Sequence, residues 1–413
     1  MNAVELGLRA NGRQFALLVG LNALVGGMVG LERSVLPLVG KHDFGLHSGA
    51  AILAFVIAFG AAKALTNLAA GELAERLGRK RLLVVGWLFA LPVPVLIGFA
   101  PSWWFIVGAN VLLGINQGLA WSMTVVMKID LAGPERRGLA LGLNEAAGYL
   151  GVAATAFASG ALAATYAPRT VVWAGAAVIA LAGLLLSVFA VRDTGAHVER
   201  EQEGHRDPRL QLGFGGAFAR ASLRDPVLRA CSQAGLVNNL NDALAWGLAP
   251  LYLAAHGASV RQIAVVAAAY PVVWGAGQLL TGWLSDRSGR KPLIAAGMLV
   301  QAAALGLLVA GGGHFGASLA AAVLLGAGTA MVYPTLLAAV SDASQPRDRA
   351  RLVGVYRFWR DFGFVLGALI AGVGADATSA KTAIVVVGAL TGASGLVVAA
   401  TSWQPPLRPA TVH

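Results

Sequence analysis

Gly71-Glu-Leu-Ala-Glu-Arg-Leu-Gly-Arg-Lys-Arg81 closes one long apolar run and opens the next. The pattern returns 211 residues later as Gly282-Trp-Leu-Ser-Asp-Arg-Ser-Gly-Arg-Lys-Pro292. A helix that leaves a bilayer and re-enters at once needs a residue free to turn tightly, which Gly78 and Gly289 supply. The basic cluster after each glycine holds such a turn on the cytoplasmic side. Glu75 and Asp286 sit inside the two copies, where each acid can pair with the arginines beside it (Arg76 and Arg79; Arg287 and Arg290) or face the positive end of a neighbouring helix.

The composition around this repeat is that of a membrane protein. Hydrophobic residues make up 57% of the 413 and charged residues only 12%, against roughly a quarter charged in a soluble domain. A span needs about 20 apolar residues, so the length accommodates twelve, and without water in the bilayer core each must be a helix. The periodicity places them near 14–40, 47–70, 82–100, 103–128, 138–166, 170–191, 228–256, 260–281, 293–312, 315–341, 352–377 and 380–402. With these spans, 23 of the 31 Lys and Arg fall on the side of the N-terminus, four on the other side and four inside spans. That asymmetry predicts cytoplasmic termini and an inner, plasma-membrane address, and it accounts for the net charge of +11 without a nucleic-acid partner. Cys231 is the single cysteine, which excludes an internal disulfide. No cleavable leader is evident at the N-terminus.

The chain divides into an N-terminal six-helix half (1–191), a charged linker (192–227) and a C-terminal half (228–413) with a short tail. The linker carries Asp193, Glu199, Arg200, Glu201, Glu203, Arg206 and Arg209, with a surface helix expected around Leu210–Leu223. At an offset of 212 residues, Val111-Leu-Leu-Gly114 recurs as Val323-Leu-Leu-Gly326. The same offset aligns Asp130 with Asp342, Pro134 with Pro346, Gly142 with Gly354 and Gly151 with Gly363. Weak internal symmetry of this kind is expected of transporters built from two related halves.

The two glycine-basic loops resemble the signature loop between helices 2 and 3 of the major facilitator superfamily and its echo between helices 8 and 9. The resemblance covers essentially the whole chain. It implies an all-α fold of twelve transmembrane helices in two pseudo-symmetric halves, with helices 1, 4, 7 and 10 around a central cavity. It also implies that the first loop packs on helix 11 when the cytoplasmic side is closed. Eight ionisable residues lie within the expected spans: Glu32, Arg33, Lys63, Glu145, Asp242, Arg357, Arg360 and Asp361. Each costs roughly 2.5–3.5 kcal/mol or more at the bilayer centre and so requires a partner, a wet cavity or a function.

In helix 1, Glu32 and Arg33 point about 100° apart, leaving open an ion pair, an anion anchor at Arg33 or a titrating carboxylate at Glu32. In helix 7, Asn238, Asn241 and Asp242 share a face at i, i+3 and i+4, the best candidate for a binding stripe, with interhelical hydrogen bonding as the plainer reading. Asn116 and Gln117 of helix 4 are placed to complete that site, with Trp121 and Tyr333 as aromatic walls. In helix 11, Arg357, Arg360 and Asp361 suggest a latch that holds the protein closed. Glu75 would meet one of the arginines and Lys63 would meet Asp361, while Glu145 would meet Arg287 or Arg290 in the mirror arrangement. Direct contact of an arginine with substrate is the other reading. Gly71, Gly78 and Gly289 belong to the hinge loops themselves.

The antiporter motifs of the superfamily are incomplete here. Asn110 stands where that branch has an arginine, and Gly148-Tyr-Leu-Gly151 lacks the antiporter proline. Three readings of function follow. The first is a proton-coupled carrier of a small metabolite or xenobiotic, acting as a monomer and moving it outward, with a carboxylate among Glu32, Glu145, Asp242 and Asp361 as proton carrier. The second is an organic-anion carrier that uses Arg33 and Arg357 or Arg360, since guanidinium forks suit carboxylates. The third is a facilitator-like receptor or assembly factor. The histidines show no metal-ligand spacing, and no nucleophile triad or phosphate loop is present, so neither a cofactor, a metal nor an enzyme is expected.

Overall fold

The computed structural model describes residues 5–46, 49–163, 165–203, 212–377 and 379–403. His47, Arg206, Arg209 and the start of the expected surface helix at Leu210 lie outside the described residues. Among the described residues twelve long helical segments run in order: α1 (Gly12–His42), α2 (Gly49–Leu77), α3 (Arg79–Gly98, interrupted at Leu91 before Pro92), α4 (Trp103–Ala132), α5 (Arg137–Leu162), α6 (Pro168–Phe189), α7 (Pro226–Ala255), α8 (Val260–Ser288), α9 (Arg290–Ala310), α10 (Phe315–Asp342), α11 (Arg349–Ala377) and α12 (Ala380–Ala400). Between α6 and α7 lie a linker helix (Gly195–Glu203) and a short helix (Phe214–Ala219) that runs into a wider turn at Arg220–Arg224.

Among the described residues, nine of the twelve are long and apolar enough to cross a membrane by length and composition alone. The other three are α5, α7 and α11, which carry Glu145, the Asn238–Asp242 stripe and the Arg357–Asp361 cluster. Each of these polar helices lies along another in the bundle: α5 against α1, and α7 against α11. Backbone approaches backbone there through glycine. A Cβ on Gly26 would fall 2.0 Å from the Gly148 carbonyl oxygen, and one on Gly363 would fall 2.0 Å from that of Leu236. Small residues make such close contacts possible where lipid offers no hydrophobic drive between helices.

The glycines of the two signature loops do what the sequence asked of them. Gly78 has φ +86° and Gly289 φ +85°, and α3 and α9 start at the next residue. The halves meet through two pseudo-symmetric seams, α2 on α11 and α5 on α8. Gly71 packs on the backbone of Ala350 and Arg351, Gly354 on Asn67, and Gly138 and Gly142 on Gly282 and Gln278. All of these contacts are on the side of the signature loops, so the two halves are closed together there.

Candidate functional site

At mid-depth the halves enclose a set of aromatic rings. Tyr149 of α5 lies 4.0 Å from Trp274 of α8, 5.7 Å from Trp121 of α4 and 6.0 Å from Tyr333 of α10, centroid to centroid. Its hydroxyl shares a 2.9 Å hydrogen bond with that of Tyr333. Tyr270 of α8 stacks on Trp274 at 5.8 Å and donates a hydrogen bond to Asp242 of α7. Rings from both halves therefore converge on one place, each with a flat apolar face and several with a polar edge.

Cations ring this cage. The Lys63 ammonium lies 5.2 Å from the centre of Trp121 and 3.8 Å from Asp361 Oδ2. The Arg360 guanidinium lies 5.0 Å from the centre of Tyr333 and pairs with Asp361 Oδ1 at 2.7 Å. Arg357 donates through Nε to Asn67 Oδ1 (3.3 Å), and Asn67 in turn donates to Asp361 Oδ2 (2.5 Å). Among the described residues, both Nη atoms of Arg357 and Nη1 of Arg360 are buried without a hydrogen-bond partner. Buried cationic donors with nothing to bond are costly. On the N-terminal side, the Arg33 guanidinium lies over Phe59 at 4.9 Å and Phe55 at 5.9 Å.

A second cluster ties the signature-loop ends together. Arg79 pairs with Glu75 (3.0 Å) and Asp130 (3.4 Å); Arg290 pairs with Asp286 (2.7 Å) and Asp342 (2.9 Å). Asp286 also accepts from the Gly138 and Leu139 amides, both at 2.9 Å, at the positive end of α5. Glu201 of the linker helix binds Arg349 and Arg137. Burial alone would push its carboxyl up, but those two guanidiniums outweigh burial and hold it down to about 2.

Sequence comparison adds to this geometry. The model of the Major Facilitator Superfamily matches residues 16–238 and again 231–412. The chain belongs to the Major Facilitator Superfamily. It is 30% identical over 317 residues to the 3-(3-hydroxy-phenyl)propionate transporter of Escherichia coli, covering 74% of this chain and 73% of that one. It is 27% identical over 238 residues to a probable 4-methylmuconolactone transporter of Cupriavidus pinatubonensis, covering 56% of this chain and 53% of that protein, about half its length. The fold superposes on the Major Facilitator Superfamily transporter FucP in its outward conformation with a TM-score of 0.77 at 17% identity, over 94% of this chain and 99% of that chain. The protein is thus a facilitator-superfamily transporter of small molecules rather than an enzyme.

Within this facilitator, several residues singled out from sequence lie elsewhere than expected. Asn238 and Asn241 turn to α9, where Gln301 donates to Asn238 Oδ1 (3.0 Å) and accepts from Asn241 (2.8 Å). Of these three helix 7 residues Asp242 alone, among the described residues, reaches the cage, because α8 brings Tyr270 to it while α9 brings Gln301 to the other two. Asn116 donates to the Gly86 carbonyl on α3 (2.9 Å) and Gln117 to the Val25 carbonyl on α1 (2.7 Å), so both cross-link the N-terminal half. Glu32 is buried, with no hydrogen bond to either oxygen among the described residues.

The latch partners differ as well. Glu75 meets Arg79 instead of Arg357 or Arg360. The loop's link to α11 is made by Glu72, which takes Arg76 at 2.9 Å and Arg351 at 2.5 Å. Arg357 lies six residues farther along α11, roughly 9 Å deeper. Glu145 accepts from Trp121 (3.2 Å) and Asn144 (2.7 Å), eight residues or about 12 Å inside α5 from the ends where Arg290 sits. Arg287 stacks over Trp283 at 3.9 Å. Lys63 and Asp361 do approach each other. Tyr149, Tyr270, Trp274 and Asn67 were not singled out from sequence; an aromatic residue in an apolar run reads as packing until the fold brings several together.

Proposed function

We propose that this facilitator carries a small aromatic monocarboxylate together with a proton. The observation that carries the reading is the set of unpartnered Nη atoms of Arg357 and Arg360 beside the aromatic cage. Around that cage stand three bases (Lys63, Arg357, Arg360) and three acids (Glu145, Asp242, Asp361). Asp361 is committed to Arg360, Lys63 and Asn67, and Glu145 to Trp121 and Asn144. Among the described residues, Asp242 accepts a hydrogen bond from the Tyr270 hydroxyl alone. With Asp242 protonated the cluster carries one net positive charge, which one carboxylate neutralises, and the ring of that acid stacks among Trp121, Tyr149 and Trp274. With Asp242 ionised the cluster is already balanced, and an added anion would leave one buried negative charge uncompensated. Anion and proton therefore favour each other's binding, which is the thermodynamic condition for symport. A cationic substrate would compete with the proton and give exchange, the outward mode. An arylpropionate and a lactone in the names of the two relatives agree with a planar, oxygen-rich cargo.

Alternating access follows as rocking of the halves about this site, with the loop side closed in the present arrangement. We place the signature loops, the linker and both termini in the cytoplasm, in the plasma membrane, from the distribution of Lys and Arg. Each chain encloses a complete pathway between its own two halves, which makes the monomer the working unit.

The test is transport in proteoliposomes with radiolabelled 3-(3-hydroxyphenyl)propionate as probe. An inside-alkaline pH gradient drives accumulation, and Arg357→Gln abolishes it while the protein stays monodisperse. Asp242→Asn mimics the protonated acid; it retains counterflow of the probe but loses accumulation driven by the gradient. If lipophilic cations are carried and aromatic acids are not, the reading is wrong.

A further inference from the structure

Two arginines related by the internal repeat cross the seam in opposite directions. Arg137 opens α5 and Arg349 opens α11, at the offset of 212 that also relates Asp130 to Asp342. Arg137 Nη1 reaches Asp342 Oδ1 at 3.1 Å, and Arg349 Nη1 reaches Asp130 Oδ1 at 3.4 Å. Each half thus presents an arginine to the other half's acid. The pseudo-twofold axis passes between them, and the two guanidiniums would repel each other there. A third carboxylate fills this place. Glu201 takes Arg349 in a fork, Nη2 to Oε1 at 2.7 Å and Nη1 to Oε2 at 2.9 Å, and takes Arg137 through the same Oε1. Glu201, Arg137 and Arg349 are all buried.

Glu201 has no counterpart in the repeat, since it comes from the segment that joins the halves. The helix that carries it is docked on the N-terminal half. Thr194 donates to Asp130 Oδ2 (2.8 Å), the Lys80 amide donates to Asp193 Oδ2 (2.8 Å), and His197 Nε2 lies 3.1 Å from Asn11 Oδ1. It reaches the other half through the buried ion pair of Glu201 with Arg349.

We propose that the linker helix is a clasp on the loop-side gate, with Glu201 as the positioning residue that holds Arg137 and Arg349 together across the pseudo-twofold axis. When the gate opens, Glu201 stays with Arg137 on the N-terminal half and releases Arg349. The linker is then part of the moving machinery, and its docking sets the balance between the two faces of the carrier. This rests on the alternating-access reading above, and the experiment separates the two.

Ala350 is buried in the seam beside Gly71, so Ala350→Cys reports opening through its rate of labelling by a maleimide in nanodiscs. Cys231, buried in α7, reports unfolding. Glu201→Gln is expected to raise labelling at position 350 about tenfold and to leave Cys231 unlabelled. Arg349→Gln should do the same, and the combined variant should do no more than either alone. Glu201→Asp, with the charge on a stem one methylene shorter, should give a smaller increase. Gly71→Ala opens the seam by another route and serves as reference. If Gly71→Ala raises labelling while Glu201→Gln and Glu201→Asp leave it unchanged, the clasp is wrong and alternating access stands. If none of them raises it, alternating access fails and takes the clasp with it. If Cys231 is labelled in step with position 350, Glu201 is only a structural tie.

Discussion

Gly71→Ala should weaken closure of the loop side without unfolding either half. A Cβ at Gly71 would lie 2.5 Å from the Ala350 carbonyl oxygen and 2.6 Å from Arg351 Cα. Ordinary contact at such a carbon begins at 3.4 Å, so the shortfall is about 0.9 Å. Both obstructing atoms are backbone, so no side chain can move aside and α2 must shift from α11. Overpacking of this size costs roughly 1–3 kcal/mol. The cost falls only on the closed arrangement, because the two helices belong to different halves. A difference of that size changes the ratio of closed to open states by about 5–150-fold. Spin labels at Leu77→Cys and Ser288→Cys, exposed or nearly so on the two pseudo-symmetric loops, report the separation by pulsed dipolar spectroscopy in a Cys231→Ala background. The long-distance population should grow in Gly71→Ala. A distance distribution superimposable on the parent's, in a protein that melts normally, would refute the reasoning. Gly363→Ala is the contrasting substitution: its Cβ strikes the Leu236 carbonyl at 2.0 Å inside one half, and it should lower stability without moving the labels.

Two further outcomes follow from the ionic cluster and the polar cross-links. The Glu201 carboxyl is held at about 2 from an ordinary 4.5 by Arg349 and Arg137 against burial. Because the folded-state value is depressed, the stabilisation is complete above pH 4.5 and is lost as the pH falls through about 2. It amounts to about 3 kcal/mol, so the gap in thermal stability between the parent and Glu201→Gln should be widest near neutrality and shrink in acid; a gap independent of pH would contradict the pairing. Gln301→Leu strands Asn238 and Asn241 and should cost about 1–3 kcal/mol while leaving probe binding intact. Lost binding at unchanged stability would return the helix 7 stripe to the substrate site.

Much of the architecture was legible because it follows from one-dimensional quantities. Hydrophobic run length marks nine of the twelve helices as spans among the described residues, since a bilayer leaves the backbone no alternative to the helix. The asymmetry of Lys and Arg determined the expected orientation, and the glycine-basic loops with their 212-residue echoes determined the family and the two halves. Even α5, α7 and α11, too polar for a plain hydropathy test, were recoverable from their place in the repeat.

What the sequence could not decide is where each polar side chain points. Asn238, Asn241 and Asp242 occupy one face of α7 in projection, yet two bind Gln301 on α9 and one binds Tyr270 on α8. The neighbour is chosen by how the helices pack, and the packing depends on contacts far apart in the chain. The same holds for Glu145 and Glu75, whose depths along their helices put the expected arginines out of reach. Glu201 reads from sequence as one charge among many in a polar linker; only folding brings Arg137 and Arg349, 212 residues apart, to either side of it. Periodicity and composition determined which segments cross the membrane and how they repeat. The tertiary structure alone decided which charges meet, because a Coulomb or hydrogen-bond partner is set by ångströms in space and not by spacing along the chain.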